Sequence, residues 1–97
     1  MSEKILVIGT FIFEAGDRDA FLEAYAEPRQ KALAEDGCEE FVLAPDPVEP
    51  GRVVMVQRWR DRDALDAHIA GERGGGGPQW ISASIEFHTV ASTEKVV

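Results

Sequence analysis

The two histidines are the residues of this chain best suited to general acid–base chemistry. His68 follows Ala64 by four residues and Leu65 by three, so the three side chains share one helix face, which we expect to point at a sheet. Because imidazole titrates near neutral pH, His68 could take a proton from a phenolic hydroxyl. A structural histidine bonded to a backbone carbonyl is the alternative. His88, on the last predicted strand, either joins His68 at a pocket or faces a partner sheet.

Three aromatic residues are candidates for the walls of such a pocket. Trp59 closes the third predicted strand and could flank a planar ligand, or it could fill the gap between sheet and helix. Tyr25 lies beside an expected helix kink and could reach a cavity between helix and sheet, or pack at the core edge. Trp80 follows a glycine-rich stretch and is either part of a lid or an anchor for that stretch.

Several kinds of site are disfavoured by the residue inventory. Two histidines without acidic residues at ligand spacing are a weak metal signal, so we expect no metal. The single cysteine, Cys38, excludes an internal disulfide. It follows a predicted helix C-terminus, whose partial negative charge disfavours a nucleophilic thiolate. The run Gly74–Gly77 lacks the lysine and the strand-to-helix setting of a phosphate-binding loop.

Length and charge define the class of protein. The chain has 97 residues, which suggests one domain over residues 1–97. Its formal net charge is −8, and an acidic surface disfavours nucleic acid and anionic membranes as partners. The longest apolar run, Ile5–Phe13, is about half the length that a membrane-spanning helix needs. We therefore expect a cytoplasmic protein.

Turn residues divide the chain into alternating elements. The predicted strands are Ile5–Phe13, Cys38–Ala44, Val53–Trp59 and Ser84–Ser92. The predicted helices are Asp17–Asp36, with Asp17 as N-cap and a kink near Tyr25–Pro28, and a second capped by Asp61 and ending at Gly71. We expect a mobile loop over Gly71–Pro78, a short helical turn over Pro78–Ala83 and a tail over Thr93–Val97.

This order, βαββαβ, predicts an α+β fold of the ferredoxin-like type with a four-stranded antiparallel sheet. Helices would cover one face of the sheet. The first strand, however, is apolar on both faces, with Ile5 and Val7 pointing one way and Leu6 and Ile8 the other. Both faces must therefore be covered, and a second copy of the sheet is the simplest cover. We expect a homodimer packed sheet to sheet.

Several short stretches form a recognisable set. They are Ala34-Glu35-Asp36-Gly37-Cys38, Phe41 and Val42, Asp46, Gln57-Arg58-Trp59, and Arg62 to His68 with Ala64-Leu65 inside it. This set, spread over roughly residues 5 to 92, resembles the antibiotic biosynthesis monooxygenase family. That family has a Glu-Pro-Gly-Cys-like turn after its first helix, a Glu-x-Trp at the end of strand three and an Ala-Leu-x-x-His on its second helix.

The resemblance implies a dimeric α+β barrel and a cofactor-independent monooxygenase that oxidises a small phenolic or quinol-type aromatic with O₂. No cofactor would be needed. His68 would be the catalytic base or hydrogen-bond partner. The substrate-binding residues would be Trp59, Tyr25, Gln57, Trp80 and His88.

The chain departs from the family pattern in two ways. Gln57 replaces the usual glutamate two residues before the tryptophan, and the sequence has no asparagine, which some family members use near a substrate carbonyl. Haem-degrading relatives use an asparagine on strand one, where this chain has Gly9, so haem degradation is disfavoured. These departures leave an alternative open: a non-catalytic dimeric barrel that binds a small molecule or acts as a stress-linked accessory protein. A lyase or isomerase on the same scaffold is a third possibility.

Overall fold

The computed structural model describes residues 3–71 and 76–97. It contains one four-stranded antiparallel sheet with the strand order β2-β3-β1-β4. The strands are β1 (Ile5–Ile12), β2 (Cys38–Pro45), β3 (Arg52–Trp59) and β4 (Ser82–Thr89). The helices are α1 (Asp17–Ala24), α2 (Ala26–Leu33) and α3 (Arg62–Gly71). The predicted α+β ferredoxin-like fold is confirmed.

The two faces of the sheet differ in how they are covered. β1 is central and pairs with β3 and β4, with Val7 opposite Gln57 and Phe87. Directly opposed residues point to the same face, so alternate residues of all four strands face the helices. This face carries the core, in which Trp59 and Phe41 are fully buried. The helices therefore enclose one side of the sheet.

The other sheet face is apolar at its centre, and none of the helices in the described residues lies over it. Leu6, Ile8, Val54 and Val56 lie at its centre, with Ile8 opposite Val56 across β1 and β3. Ile8 is 38% exposed and Val42, on β2, is 36% exposed. This group of residues, with Leu6, Ile8, Val42, Val54 and Val56 as members, is called the outer sheet face below.

The predicted kink of the first helix is a break at Tyr25, which separates α1 from α2. Pro28 explains why the helix breaks at this point. Proline has no amide hydrogen to donate to the carbonyl of Ala24, four residues earlier, and its ring collides with that carbonyl. The Tyr25 amide still bonds Phe21 at 2.9 Å, and Arg29 bonds the Tyr25 carbonyl at 3.0 Å. These two bonds lie on either side of the break.

The turns around α3 follow the sequence signals. Gly37 has φ of 86°, in the left-handed region, and its carbonyl accepts the Arg60 amide at 2.8 Å. The Asp61 carboxylate accepts the amide of Ala64 at 2.9 Å, so Asp61 caps α3 as predicted. The N-cap of α1, however, is Gly16 rather than Asp17. Asp17 lies in the first turn, where its negative charge interacts favourably with the positive end of the helix dipole.

The segment before β4 differs from the prediction. Residues 78–81 form no helical turn, and the Ile81 amide bonds the Ile12 carbonyl at 2.7 Å, which joins the chain to β1 just before β4 begins. β4 consequently begins at Ser82 and ends at Thr89, before the predicted Ser92. Of the predicted loop Gly71–Pro78, residues 72–75 lie outside the described part of the chain. Across residues 3–71 and 76–97, no helix is long and apolar enough to cross a membrane.

Candidate functional site

A cavity of about 480 Å³ lies between the covered face of the sheet and the helices. Side chains of α1 and α3 line it, together with Tyr25 between α1 and α2. The segment 76–80 forms part of its rim. Its lining is mainly aromatic and aliphatic. The lining residues are Val7, Phe11, Phe21, Tyr25, Leu43, Met55, Gln57, Leu65, His68, Ile69, Gly76, Gly77, Pro78, Gln79, Trp80, Ile85 and Phe87.

Gln57 is a buried polar residue on the sheet side of this cavity, with 5% of its surface exposed. The indole Nε1–H of Trp59 donates to its Oε1 at 2.8 Å. The Gln57 Nε2 donates to the Sδ of Met55 at 3.1 Å. All three residues lie on alternate positions of β3 and face the helices. Because alternate side chains of a strand point to the same face, Met55, Gln57 and Trp59 can form this row of hydrogen bonds.

His68 lies on the buried face of α3, as predicted from its spacing. Its Nδ1 is 2.9 Å from Oε2 of Glu35, which follows α2. The ring packs against Trp59, with centroids 4.8 Å apart, and edge-on against Phe41 at 5.8 Å. Trp59 thus contacts both His68 and Gln57, although it is not itself among the residues that line the cavity.

Tyr25 lines the cavity at the break between α1 and α2. Its ring lies 5.5 Å from that of Phe21 and 6.4 Å, nearly parallel, from that of Phe41. Tyr25 therefore occupies the position expected between helix and sheet.

Trp80 lies at the rim of the cavity, just before β4. Its ring is 5.1 Å from Phe11 on β1, and 45% of its surface is exposed. The residue thus contacts the core on one side and solvent on the other. The contact with Phe11 is the kind expected of an anchor, and the rim is where a lid residue would lie, so both interpretations of Trp80 stay open.

His88 does not join His68 at the cavity. It is opposite Leu6 in the register of β1 and β4, which places it on the outer sheet face, and its Nε2 lies 3.5 Å from Glu86. Of the two orientations considered for His88, the structure has the one that points away from the helices. Because successive strand residues alternate faces, it is the neighbouring Phe87 that lines the cavity.

Cys38 lies at the start of β2 and is partly buried. Burial raises the pKa of its thiol, and the nearby Glu35 carboxylate raises that pKa further. The thiol is therefore protonated at neutral pH, in agreement with the expectation that it is not a nucleophile. Within residues 3–71 and 76–97 no cluster of three His, Cys, Asp or Glu side chains is suited to hold a metal ion.

The structure adds residues that the sequence did not single out. Glu35 meets His68 across 33 positions of the chain, and no local signal connects them. Met55 contacts Gln57 two residues along the same strand. Ile85 and Phe87 line the cavity from β4, and strand alternation would have identified them once the register was known.

The arrangement offers two kinds of polar contact in an apolar enclosure. The imidazole of His68 can exchange a proton with a bound hydroxyl, and the amide of Gln57 can hydrogen bond to a ligand oxygen. The aromatic lining suits a flat, largely apolar molecule.

Comparison with known proteins agrees with this geometry. Residues 4–73 match the family model described as antibiotic biosynthesis monooxygenase. No curated protein matches the sequence at a significant level.

Solved structures share the fold at low sequence identity. A protein of Pseudomonas aeruginosa aligns with a TM-score of 0.78 and 23% identity, over 95% of this chain and 98% of that one. A protein of Shewanella oneidensis aligns with a TM-score of 0.75 and 22% identity, over 91% of each chain. SnoaB of Streptomyces nogalater, a cofactor-independent oxygenase, aligns with a TM-score of 0.73 and 13% identity, over 95% of this chain and 97% of SnoaB.

At these identities the structural matches establish the fold, whereas the family model covers most of the chain and supports a role of the monooxygenase type. Trp59 on β3 and His68 on α3 lie within the matched residues, whereas the cavity lining from residue 76 onward lies outside them. On this evidence the chain belongs to the antibiotic biosynthesis monooxygenase family.

Proposed function

We propose that the protein is a cofactor-independent monooxygenase that oxidises a small phenolic or quinol-type aromatic with O₂ in the cavity between sheet and helices. The observation that carries this proposal is the apolar cavity of about 480 Å³ with the His68 imidazole and the Gln57 amide in its lining. The structural likeness to SnoaB, a cofactor-independent oxygenase, supports the absence of a cofactor.

His68 would act as the base. A carboxylate can only accept a hydrogen bond, so the contact with Glu35 at 2.9 Å favours the ring tautomer with its proton on Nδ1. The lone pair of the neutral ring is then on Nε2. That nitrogen would accept the proton of a substrate hydroxyl and convert a phenol into the more electron-rich phenolate.

The reaction balances without a cofactor when the substrate supplies the electrons. For an anthrone-type substrate, a ring CH₂ group reacts with O₂ to give a C=O group and one molecule of water. Two C–H bonds are broken, one oxygen atom enters the product and the other leaves as water. The role of the protein is to remove the first proton, to orient the ring and to keep bulk water away from the phenolate.

The proposed walls are Tyr25 and Trp80, with Trp59 behind them. Tyr25, between α1 and α2, and Trp80, just before β4, both line the cavity. Trp59 would position the polar groups, since it contacts both His68 and Gln57. His88 is omitted from this group because it lies on the outer sheet face.

We also propose a homodimer in which the outer sheet faces of two copies pack together. The support is the row of apolar residues on that face, including Ile8 and Val42, which are exposed in the single chain. A contiguous apolar sheet face is costly in water, and a second sheet is the cover that this fold allows.

The test is O₂ uptake by the purified protein with a panel of hydroquinones and anthrones, without added cofactor. We expect saturable uptake, and a decrease of about a hundredfold in turnover for His68→Ala. Gln30→Ala, an exposed substitution on α2, is the control. Equal turnover in His68→Ala would remove His68 from the mechanism, and no uptake above the spontaneous rate would contradict the oxygenase proposal.

The second candidate function is a non-catalytic barrel that binds a small molecule. The observation that favours it is Gln57, an amide where the family has a carboxylate, with its oxygen already bonded to Trp59. Ligand binding detected by a thermal shift, together with a lack of O₂ uptake, would support this candidate over the first.

A further inference from the structure

The orientation of the Gln57 side-chain amide is determined by its neighbour. An indole N–H can only donate, so the Gln57 atom 2.8 Å from Trp59 Nε1 must be the amide oxygen. Trp59 is fully buried and Gln57 is 5% exposed, so water does not compete for this bond. The amide therefore cannot rotate by half a turn without leaving the indole N–H unsatisfied, which is unfavourable in a buried site.

This orientation directs the amide NH₂ group toward Met55. The Gln57 Nε2 lies 3.1 Å from the Met55 Sδ, and a thioether sulfur is a weak acceptor. Both residues line the cavity. An oxygen atom of a ligand would be a better acceptor for this group than the sulfur that it now contacts.

We propose that Trp59 fixes Gln57 as a hydrogen-bond donor and that Gln57 thereby selects ligands with an acceptor oxygen on the aromatic ring system, namely a ketone or a phenolate. This inference rests on the proposed function and adds the substrate class. A glutamate carboxylate at the same position would accept from Trp59 but would have no hydrogen to donate to the ligand. The exchange of carboxylate for amide thus changes the cavity from an acceptor site to a donor site.

The test compares ligands that differ only in the carbonyl group. The probes are 1-tetralone with tetralin, and anthrone with 9,10-dihydroanthracene, titrated under nitrogen so that no turnover occurs. We expect the ketone of at least one pair to bind roughly two- to tenfold more tightly, as one hydrogen bond allows. The carbonyl stretch of the bound ketone, labelled with ¹³C, should move to lower frequency.

Substitutions then test whether Gln57 and Trp59 cause the ketone preference. Gln57→Met keeps the length of the side chain and removes the donor, and Trp59→Phe keeps an aromatic ring and frees the amide. Both should remove the ketone preference, whereas Gln30→Met, the same substitution at an exposed site on α2, should keep it. Should Gln57→Met fail to fold, Gln57→Glu tests the same point, because its carboxylate still accepts from Trp59 but has no hydrogen to donate to the ketone.

Equal affinity within every pair, or a preference that survives Gln57→Met, would overturn the proposal. Because the titrations contain no oxygen, their outcome is independent of the oxygenase test. Selective ketone binding without O₂ uptake would contradict the proposed function and leave this inference standing. O₂ uptake without any ketone preference would contradict this inference and leave the proposed function standing.

Discussion

The His68 ring is held by two side chains that are distant from it in the sequence. Glu35 bonds its Nδ1 and Trp59 packs against its face. The Glu35 side chain is 40% exposed, so solvent weakens the electrostatic part of this contact. Its main effect is then to select a ring orientation and a tautomer rather than to stabilise the fold.

This contact predicts a kinetic effect of Glu35. Glu35→Ala should lower kcat by about tenfold with little change in KM, because the imidazole is misoriented while the cavity is intact. Glu35→Gln keeps an acceptor oxygen and should recover part of the loss. Steady-state O₂ uptake measures both constants, and Glu27→Ala, an exposed glutamate on α2, is the control. A kcat for Glu35→Ala equal to that of the control would show that the contact has no part in catalysis.

The contacts of Asp46, which lies outside the cavity lining, predict that the stability of the fold depends on pH. The backbone amides of Glu49 and Val48 donate to its carboxylate and Arg52 lies beside it, and these contacts lower the pKa of Asp46 to about 2. A carboxyl group whose pKa is lower in the folded protein stabilises the fold when it is ionised. The stabilisation is therefore present above the pKa of an unfolded aspartate, about 4, and is lost as the pH falls toward 2.

Thermal unfolding of the wild type and of Asp46→Ala between pH 7 and pH 2 checks this expectation. The Tm of the variant should be lower by a constant amount above about pH 5, and the difference should narrow as the pH falls below about 4. A difference that is the same at pH 2 and at pH 7 would show that the ionised form of Asp46 contributes nothing.

At the scale of elements, the turn between α2 and β2 depends on Gly37. Its φ of 86° disfavours any residue with a side chain, and a Cβ atom there would lie 2.5 Å from the Cβ of Ala64. Gly37→Ala should therefore destabilise the protein by about 1–3 kcal/mol. Urea unfolding measures the change in the free energy of unfolding.

Gly71 provides the matched control for this substitution. It is the last residue of α3, and a Cβ atom there would meet nothing within 4 Å. Gly71→Ala should be neutral or stabilise by up to about 1 kcal/mol, because alanine is the better helix former. Equal destabilisation by the two substitutions would contradict the argument from backbone conformation and space.

The elements that carry a strong period were predictable from the sequence. Short apolar runs bounded by turn residues identified β1 and β3, three- and four-residue spacing placed His68 on the buried face of α3, and Pro28 located the break beside Tyr25. The face of His88 was not predictable, because it depends on the register between β1 and β4. The same register brings Ser82 opposite Ile12, so β4 begins earlier than its polar serines suggested.

The polar contacts of the site were less predictable than its walls. Gln57 and Trp59 are two residues apart on one strand, so a shared face could be inferred, but their hydrogen bond depends on side-chain rotamers. The Glu35–His68 contact joins the turn after α2 to α3. Such a contact is determined by how the helices pack, which the hydrophobic pattern of either helix does not specify.

At the scale of the whole molecule, charged groups flank the apolar centre of the outer sheet face, including Glu86 on the edge strand β4, opposite Ile8. Glu39 lies between Lys4 and Arg58, which lower the pKa of its carboxyl group. Arg52 pairs with Asp46 at the opposite end of β3. An apolar centre with a charged rim is the general anatomy of a protein–protein interface. The face is therefore suited to association with a second copy rather than to contact with water.

This arrangement predicts that a charge at the centre of the outer sheet face separates the dimer. Ile8→Arg places a guanidinium between Val56 and Glu86. Glu86 offsets part of its charge, but burying this large, hydrated group between two packed sheets still strongly disfavours association. Light scattering should give the mass of two chains for the wild type and of one chain for Ile8→Arg at micromolar concentration. Val48→Arg, in the exposed connection between β2 and β3, should remain dimeric. A wild-type protein with the mass of one chain would contradict the proposed dimer, and it would require some other cover for the apolar face.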